Sequence, residues 1–557
     1  MRRSCKFKDQ SSKAKGQSSK TKDQRPKFKV QRPKFKDQGQ RPKTISYHLL
    51  FYKFLILSCN PISPKLKTLN ERILISLLLG PIIFASLILS GCISAKRTPN
   101  LERIFAEARV RTGKRPVIII PGILGSELVN PKTGETVWPS VVRSRSDGST
   151  LPMSPDLSAN HDDLVPGKII ETLRLARILP EVYVYRDLLD TLRLYGGYRE
   201  GDWGNPTANG DRDCFYVYSY DWRLDNVENA RELVRRIVEL KQKLHRPDLR
   251  FNVFAHSMGG LIARYAAMYG DADIPREGSQ IRPTWAGAKH INKIIMLGVP
   301  NEGSADAFAT LLYGYSITEG LRRRVPLLNK LTAEDAITSP ALFELLPHAS
   351  AARFLNEELK PLQLDLYDPA VWKLYGWSAI NDQDYRKRYE NETDSSRKTN
   401  SHTRSAEDLD RFLAAVLNRA RRFHEALDAS SESEPPVMLL AVGGDCEETL
   451  DAPIILRDVK VNRWITLIRP REYRTGRGMR ITKRETIEAM YAPGDGRVTR
   501  RSLLGEDLAG RRRVGTVFDS PLALTYAIFG CDLHGKLQRN RTLEDNALTA
   551  LISEAMK

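Results

Sequence analysis

Cysteine is scarce in this chain, whose 557 residues contain six. After Cys92 only three remain: Cys214, Cys446 and Cys531. Because three is an odd number, these residues allow at most one disulfide among themselves and leave one thiol free. A chain of this length can bury a sufficient core without cross-links, so a small disulfide-dominated fold is excluded.

Acidic residues are nearly missing from the N-terminal part, and this skews the net charge. Residues 1–92 hold 20 Lys or Arg against four Asp or Glu, a net of +16 out of the formal +20 of the whole chain. The other 465 residues carry 67 basic and 63 acidic side chains, a net of +4. This larger part lacks the basic excess of a nucleic-acid groove. Nucleic-acid binding through the N-terminal repeats remains an alternative only if those repeats stay on the mature protein.

Metal-ligand spacing is also missing, because His, Cys, Asp and Glu do not cluster in the patterns that bind metals. We therefore expect a chemistry carried by side chains and backbone amides, with no metal and no cofactor.

The chain does contain a serine in a sharp-turn context, within Ala255-His256-Ser257-Met258-Gly259-Gly260. An apolar run, residues 249–254, precedes this segment, and the helix-like residues 261–268 follow it. A strand, a tight turn with serine at its apex and then a helix form the nucleophile elbow of an α/β-hydrolase. Ala255 replaces the first glycine of the usual G-x-S-x-G pattern. Taken alone, an ordinary strand-to-helix turn is the alternative.

A serine nucleophile needs a histidine base and a carboxylate that orients it, and in this fold they follow in the order serine, acid, histidine. Asp495 lies between two glycines, and His534 lies in a later loop. The chain has nine histidines, and His534 is the only one after Asp495. Chain order therefore predicts Asp495 as the acid and His534 as the base. Asp445 and Asp451 stay open as rival acids, since some hydrolases carry the acid one strand earlier.

The predicted oxyanion hole has two backbone donors. One is the amide of Met258, directly after the serine. The other is the amide of Leu124, in a glycine-containing loop after the β-branched residues 117–120, which are typical of a strand buried on both faces. One such donor is worth about 3 kcal/mol of transition-state stabilisation.

Five motifs occur in a characteristic order: residues 121–126 (PGILGS), 220–223 (YDWR), 255–260 (AHSMGG), 297–304 (LGVPNEGS) and 494–498 (GDGRV). Together they resemble the lecithin:cholesterol acyltransferase family and its bacterial and plant lipase and phospholipid acyltransferase relatives, over roughly residues 113–545. The resemblance implies an α/β-hydrolase, with a mostly parallel sheet flanked by helices, that transfers or hydrolyses fatty acyl groups on lipids.

By this resemblance Ser257, Asp495 and His534 match the family's nucleophile, acid and base, and Leu124 matches its oxyanion residue. Asp221 and Arg223, in the second motif, are interpreted as a structural pair. The disulfide-closed membrane-binding loop of the animal enzymes has no counterpart, because no cysteine lies between Cys92 and Cys214.

We expect the N-terminal part to direct the protein to its location rather than to form part of the folded domain. Residues 1–64 are basic and repetitive, so we expect them to be disordered or not translated. Residues 65–92 read as a secretory signal, with a positive start and an apolar stretch at 73–89. Leu89-Ser90-Gly91-Cys92 resembles a lipobox, which implies a lipid-anchored protein of the bacterial cell envelope, on the outer-membrane or periplasmic side if Gram-negative. A transmembrane helix is the alternative, although 17 residues with a proline are short for one.

We expect a tether at residues 93–112 and a catalytic domain at 113–557, with a helical cap or lid inserted at 304–435. The patterns predict a helix at 229–245, core strands at 291–297, 437–442 and 465–468, and a last helix near 543–556. The apolar segments 343–347 and 371–377 would form either a surface for acyl chains or the core of the cap.

The sequence thus predicts a serine-dependent O-acyltransferase or lipase that acts on phospholipid or glycerolipid esters through an acyl-enzyme. One alternative is a plain carboxylic ester hydrolase without an alcohol acceptor. Another is a catalytically silent lipid-binding protein of the envelope.

Overall fold

The computed structural model describes residues 98–139, 149–173, 182–316, 330–391, 405–431, 434–458, 462–505 and 524–552. All of them belong to one unit, residues 96–557. The predicted repeats (1–64), the signal with its lipobox at Cys92 (65–92) and the first part of the tether lie outside the described residues. No helix within the described ranges has the length and apolar character needed to span a bilayer.

Seven strands form the central sheet. In chain order they are β1 (Val117–Ile120), β2 (Arg199–Glu200), β3 (Cys214–Val217), β4 (Phe251–His256), β5 (Ile291–Leu297), β6 (Met438–Gly444) and β7 (Leu524–Gly530). Their spatial order is β7-β6-β5-β4-β1-β3-β2, and every neighbouring pair is parallel. All residues of β1 and β4 are buried, as their apolar sequences predict for strands covered on both faces.

The sheet is covered on both faces, and alternate residues of β1 show this. Ile118 and Ile120 belong to one hydrophobic cluster, whereas Val117 and Ile119 belong to another. Five helices with residues packed on the sheet are α1 (Arg186–Leu194), α2 (Asn226–Lys243), α3 (Met258–Tyr269), α4 (Ala406–Leu427) and α5 (Arg541–Ile552). Buried residues of α2, α3 and α4 join the first cluster, and those of α1 and α5 join the second. This is the predicted α/β-hydrolase architecture.

Helix ends follow from capping rather than from hydrophobic periodicity. The Asp225 side chain accepts hydrogen bonds from the amides of Val227 and Glu228, so α2 begins three residues before the predicted start. The short helices are Leu101–Ile104, Ala106–Val110, Ala305–Tyr313, Ala333–Ala336, Pro340–Phe343, Pro369–Tyr375, Gln383–Asn391, Lys483–Met490 and Arg500–Leu504.

The strand predicted at 465–468 is wrong as a core strand. Arg463–Leu467 is a strand, but it pairs antiparallel with Ile454–Asp458 in a separate hairpin. A continuous apolar run indicates burial, and it does not reveal which strand will be the partner.

Further small antiparallel pairs lie outside the central sheet. Ser126–Val129 pairs with Thr136–Trp138 and Val165–Ile169, Thr172–Leu173 with Val182–Tyr183, Glu447–Leu450 with Tyr491–Gly494, and Tyr473–Arg474 with Arg480–Ile481. Tyr315–Ser316 pairs with Lys330–Leu331, inside the stretch that we expected to contain no strands.

A mainly helical insertion separates β5 from β6 and includes α4. α4 begins with a capping box in which Ser405 and Asp408 satisfy each other's backbone amides. Its last turn lies on α3: the Tyr269 hydroxyl donates to the Ala426 carbonyl at 2.8 Å. The Arg264 guanidinium donates to the Leu427 carbonyl at 2.7 Å. The insertion is thus attached to the helix that follows the predicted nucleophile.

Candidate active site

The carboxyl ends of parallel strands meet at one edge of a sheet, and the predicted site residues lie at this edge. Ser257 directly follows β4 and precedes α3, so it occupies the apex of the strand-to-helix turn. Its φ is +52°, a conformation that costs energy for a residue with a Cβ. Its amide is fixed by a 2.8 Å hydrogen bond to the Leu297 carbonyl at the end of β5.

His534 begins a short 3-10 helix after β7. Its Nε2 lies 3.0 Å from the Ser257 Oγ, and its Nδ1 lies 2.8 Å from the Asp495 Oδ2. An ionised carboxylate can only accept, so Nδ1 carries the proton and Nε2 is left to accept the serine hydroxyl. The structure therefore joins three side chains that are up to 277 residues apart in the sequence.

Asp495 is fixed by its own loop. Its Oδ1 accepts the amides of Arg497 at 3.0 Å and Val498 at 2.8 Å, and its backbone carbonyl accepts the His534 amide at 2.7 Å. The carboxylate is therefore held in place from both sides, by its own turn and by the histidine loop.

The two rival acids lie elsewhere. Asp451 is buried and pairs with the guanidinium groups of Arg353 and Arg501. Asp445 is solvent-exposed. Asp495 takes the position because the strand before it, Tyr491–Gly494, pairs with Glu447–Leu450 just beyond the end of β6. This antiparallel pair brings the glycine-flanked loop of Asp495 back to the edge of the sheet.

Leu124 and Met258 lie in the two segments that flank the serine. Leu124 has a φ of +62°, and its carbonyl accepts the Trp138 indole N–H at 3.1 Å. Across the described ranges, neither the Leu124 amide nor the Met258 amide donates a hydrogen bond. Both amides are therefore available to an acceptor that the described part of the chain does not supply.

Gly298, the residue after β5, is packed against the acid–base pair. Its φ is +58°, and a Cβ added there would lie 3.1 Å from the His534 Nδ1 and 3.2 Å from the Asp495 Oδ2. Only glycine combines this backbone conformation with so close an approach.

A disulfide next to the base was not identified from the sequence. Cys446 and Cys531 are bonded, and Cys214 is a buried free thiol, which agrees with the count of at most one disulfide. Both bonded residues follow the ends of neighbouring strands, β6 and β7. A prediction that these two strands are neighbours could have identified the pair, because the residues after their ends then lie close together. Cys531, one end of this bond, lies three residues before His534 in the sequence.

Arg223 and Asp221 form the structural pair that we expected, with a third member. The Arg223 side chain, fully buried, lies 2.6 Å from an Asp221 oxygen and 2.6 Å from an Asp162 oxygen. These contacts tie the segment before α2 to Asp162, in the loop before the strand Val165–Ile169.

The aromatic residues of the predicted cap face inward. Phe343 and Trp372 are fully buried and Trp377 is 2 % exposed. The Trp377 ring packs edge-to-face on Phe308, with centroids 4.7 Å apart. These side chains therefore form the core of the insertion, and the alternative of an acyl-chain surface does not apply to them.

Two further polar side chains, those of Tyr185 and His256, lie next to Ser257 and His534. The Tyr185 hydroxyl lies 2.7 Å from the His256 Nδ1, and the His256 Nε2 lies 3.4 Å from the His534 carbonyl oxygen. No local motif marks Tyr185, because its partners are 63 and 71 residues away.

Comparison with known proteins gives one family match. The family model described as lecithin:cholesterol acyltransferase matches residues 209–420, a segment that contains Ser257 and ends before Asp495. No protein of curated function matches the chain.

Several solved structures are similar. A chain of the Tle4–Tli4 complex has 15 % identity and a TM-score of 0.48, over 80 % of this chain and 100 % of that one. The Bacillus licheniformis lipase BlEst2 in mature form has 11 % identity and a TM-score of 0.28, over 79 % and 92 %. EstA from Clostridium botulinum has 14 % identity and a TM-score of 0.29, over 83 % and 92 %.

The parallel sheet, the strand-to-helix turn at Ser257 and the family match over residues 209–420 lead to one conclusion. The chain has an α/β-hydrolase fold, and its residues 209–420 match the lecithin:cholesterol acyltransferase family model.

Proposed function

We propose that this protein is a serine-dependent acyl hydrolase or O-acyltransferase that acts on the acyl esters of phospholipids or other glycerolipids. Ser257 attacks the ester carbonyl, His534 accepts the hydroxyl proton, and Asp495 holds the imidazole in the productive tautomer. The observation that carries the proposal is the pair of distances at His534, 3.0 Å to the Ser257 Oγ and 2.8 Å to the Asp495 Oδ2.

The amides of Met258 and Leu124 stabilise the oxyanion of the tetrahedral intermediate. Their lack of an acceptor within the described ranges supports this role. Because donors fixed before the reaction need no reorganisation, each contributes about 3 kcal/mol to the transition state. The positive φ values of Ser257 and Leu124 are the strained conformations that hold nucleophile and donor in position.

After the alcohol leaves, protonated by His534, the acyl group stays on Ser257 and passes to a second acceptor. Water as acceptor gives hydrolysis, and a lipid alcohol gives transfer. Ser257 is 6 % exposed and His534 is 8 % exposed. An acyl-enzyme that stays as enclosed as these residues would favour transfer whenever an alcohol occupies the site. Product analysis with a labelled phospholipid, with and without diacylglycerol or sterol, distinguishes transfer from hydrolysis.

The substrate lies in a membrane, and the proposed anchor brings the enzyme to it. Lipidation of Cys92 would hold the mature protein stably on the envelope surface. We expect incorporation of labelled palmitate into the wild type and its loss in Cys92→Ser. Palmitate incorporation that survives this substitution would remove the lipobox from the proposal.

The function is tested by labelling with a fluorophosphonate probe, which reacts with activated serines. We expect Ser257 to be labelled in the wild type and no labelling in Ser257→Ala. Turnover of a phospholipid panel should fall by at least 10³-fold in that variant. A folded wild-type protein that resists the probe and leaves every lipid intact would instead support the silent lipid-binding alternative.

A further inference from the structure

Tyr185 is a buried tyrosine at the start of α1, and its side chain is 2 % exposed. Its hydroxyl lies between two groups of the site. The Gly122 amide donates to the hydroxyl oxygen at 2.8 Å, and the His256 Nδ1 lies 2.7 Å from the same oxygen. Gly122 belongs to the loop that carries Leu124, and His256 is the residue before the serine. One hydroxyl therefore connects the oxyanion loop with the elbow.

The direction of these hydrogen bonds follows from the groups involved. An amide N–H can only donate, so the tyrosine oxygen accepts from Gly122. The His534 carbonyl oxygen, 3.4 Å from the His256 Nε2, can only accept, so the neutral imidazole carries its proton on Nε2 and its Nδ1 accepts the tyrosine proton. His256 therefore donates to the backbone of the base.

His256 remains neutral in this arrangement. Burial, with a smaller contribution from nearby His534, lowers the pKa of His256 to about 3. A neutral imidazole with one accepting and one donating nitrogen satisfies both neighbours at neutral pH. Neither nitrogen is left to accept the Ser257 proton, so His256 is not a second base.

The oxyanion loop also touches the elbow directly. A Cβ added at Gly122 would lie 2.8 Å from the Ser257 Cβ and 3.2 Å from the His256 Nδ1. Because the two segments are so close, any shift of the oxyanion loop changes the distance between the Ser257 hydroxyl and the Leu124 amide. The loop is also attached elsewhere: the Tyr220 hydroxyl donates to the Pro121 carbonyl, the Trp138 indole to the Leu124 carbonyl and the Ile170 amide to the Gly125 carbonyl. Among these attachments, the Tyr185 link is the one that continues through the elbow to His534.

We propose that Tyr185 and His256 are positioning residues that keep the oxyanion loop, the Ser257 elbow and the His534 loop in mutual register. This inference rests on the proposed function, because it assigns the network to the acyl-transfer step. Removing the Tyr185 hydroxyl leaves the Gly122 amide and the His256 Nδ1 buried without partners, and both loops relax towards other positions.

The test compares Tyr185→Phe with Tyr218→Phe. Tyr218 is a matched control because its buried hydroxyl donates at 2.7 Å to the Asn229 carbonyl. Each substitution thus removes one buried hydroxyl from the hydrophobic interior. With a chromogenic acyl ester, we expect kcat for Tyr185→Phe to fall about 10- to 100-fold while KM stays within about twofold. Tyr218→Phe should keep the wild-type kcat.

An alkyl trifluoromethyl ketone supplies a second readout, because its adduct with serine carries an oxyanion. Its inhibition constant should rise for Tyr185→Phe by the same factor as kcat falls, and it should not change for Tyr218→Phe. His256→Asn places an oxygen near the position of Nδ1 and should keep more activity than His256→Ala.

The outcomes separate the two proposals. If the wild type neither reacts with the fluorophosphonate probe nor turns over the ester, the proposed function fails. If the wild type is active and Tyr185→Phe has the kcat and ketone affinity of Tyr218→Phe, the positioning role is refuted and the function stands. Equal losses of kcat and thermal stability in both tyrosine variants would also refute it, because they would indicate a general packing effect.

Discussion

At the scale of single residues, the site depends on positions where only one residue type fits. Gly298 is such a position, with a φ of +58° and a missing side chain that would contact the His534–Asp495 pair. We expect Gly298→Ala to lower kcat/KM with the chromogenic ester about 100-fold, because the methyl group displaces the imidazole from the serine.

The control for Gly298→Ala is Gly278→Ala. Gly278 also has a positive φ, +80°, but a Cβ added there meets no atom within 4 Å. Gly278→Ala should therefore share the cost in backbone strain and keep the activity. Equal activities of the two variants in the same assay would contradict the packing argument at Gly298.

Some site residues could be predicted from the sequence because their signals are local. The turn around Ser257 has a motif, and chain order limits the base to His534. Tyr185 has no such signal, because its contacts depend on the packing of α1 against Gly122 and His256, which are distant in the sequence. Side-chain networks of this kind are defined by tertiary structure alone.

At the scale of structural elements, the Cys446–Cys531 bond joins the ends of β6 and β7 just before the His534 loop. It closes a long loop, with a sequence separation of 85 residues. We expect Cys446→Ser with Cys531→Ser to lower the free energy of unfolding by about 4 kcal/mol and to reduce the activity, because the base loop loses its attachment.

A reducing agent should lower the stability and the activity of both the wild type and Cys214→Ser. It should change neither property in the variant that combines Cys446→Ser with Cys531→Ser. These responses are measured by denaturant unfolding and ester turnover in parallel. A wild type that keeps full activity after mass spectrometry confirms reduced Cys446 and Cys531 would contradict the role of the bond in holding the loop.

The buried Arg223 joins the segment before α2 to the loop before the strand Val165–Ile169, through its ion pairs with Asp221 and Asp162. Arg223→Met leaves the buried Asp221 carboxylate without its cation, so we expect unfolding to become easier by about 3–5 kcal/mol. The control is Arg235→Met, since Arg235 pairs with Glu232 on the exposed face of α2 and its loss should cost less than about 1 kcal/mol. Similar urea midpoints for the two variants would rule out this structural role.

Element boundaries and strand partners were the harder part to predict. Periodicity indicated a buried strand near residues 465–468, and the structure places Arg463–Leu467 in a hairpin outside the central sheet. The reason is physical, since hydrogen-bond partners are selected by the chain connection and by space at the sheet edge. The Asp225 cap of α2, by contrast, has a local sequence signal, because an aspartate directly before an apolar-periodic segment is typical of a helix N-terminus.

At the scale of the whole molecule, buried neutral histidines make stability depend on pH. Burial lowers the pKa of His256 to about 3, and burial with nearby His348 and Arg264 lowers the pKa of His424 well below its usual range. In the unfolded chain both titrate near 6.5. Between these values the unfolded chain binds protons that the folded chain does not, so the contribution of these two histidines to stability is complete above about pH 6.5 and is lost as the pH falls.

At pH 5 this linkage costs about 2 kcal/mol for His256 alone. Urea unfolding at pH 7, 6 and 5 measures the loss, and His424→Phe should flatten the dependence because it removes one titrating group. Equal pH dependences of the wild type and of His424→Phe would contradict the prediction.

The order of the strands also has a consequence for biosynthesis. β7 lies at one border of the sheet and follows all the other strands of that sheet in the chain, so it can join a sheet that has already formed without any rethreading. The imidazole at position 534 arrives with this final segment. Under the proposed function, a chain still being extended on the ribosome has the serine without its proton acceptor, and it cannot attack the lipids around it until the segment that carries His534 has emerged.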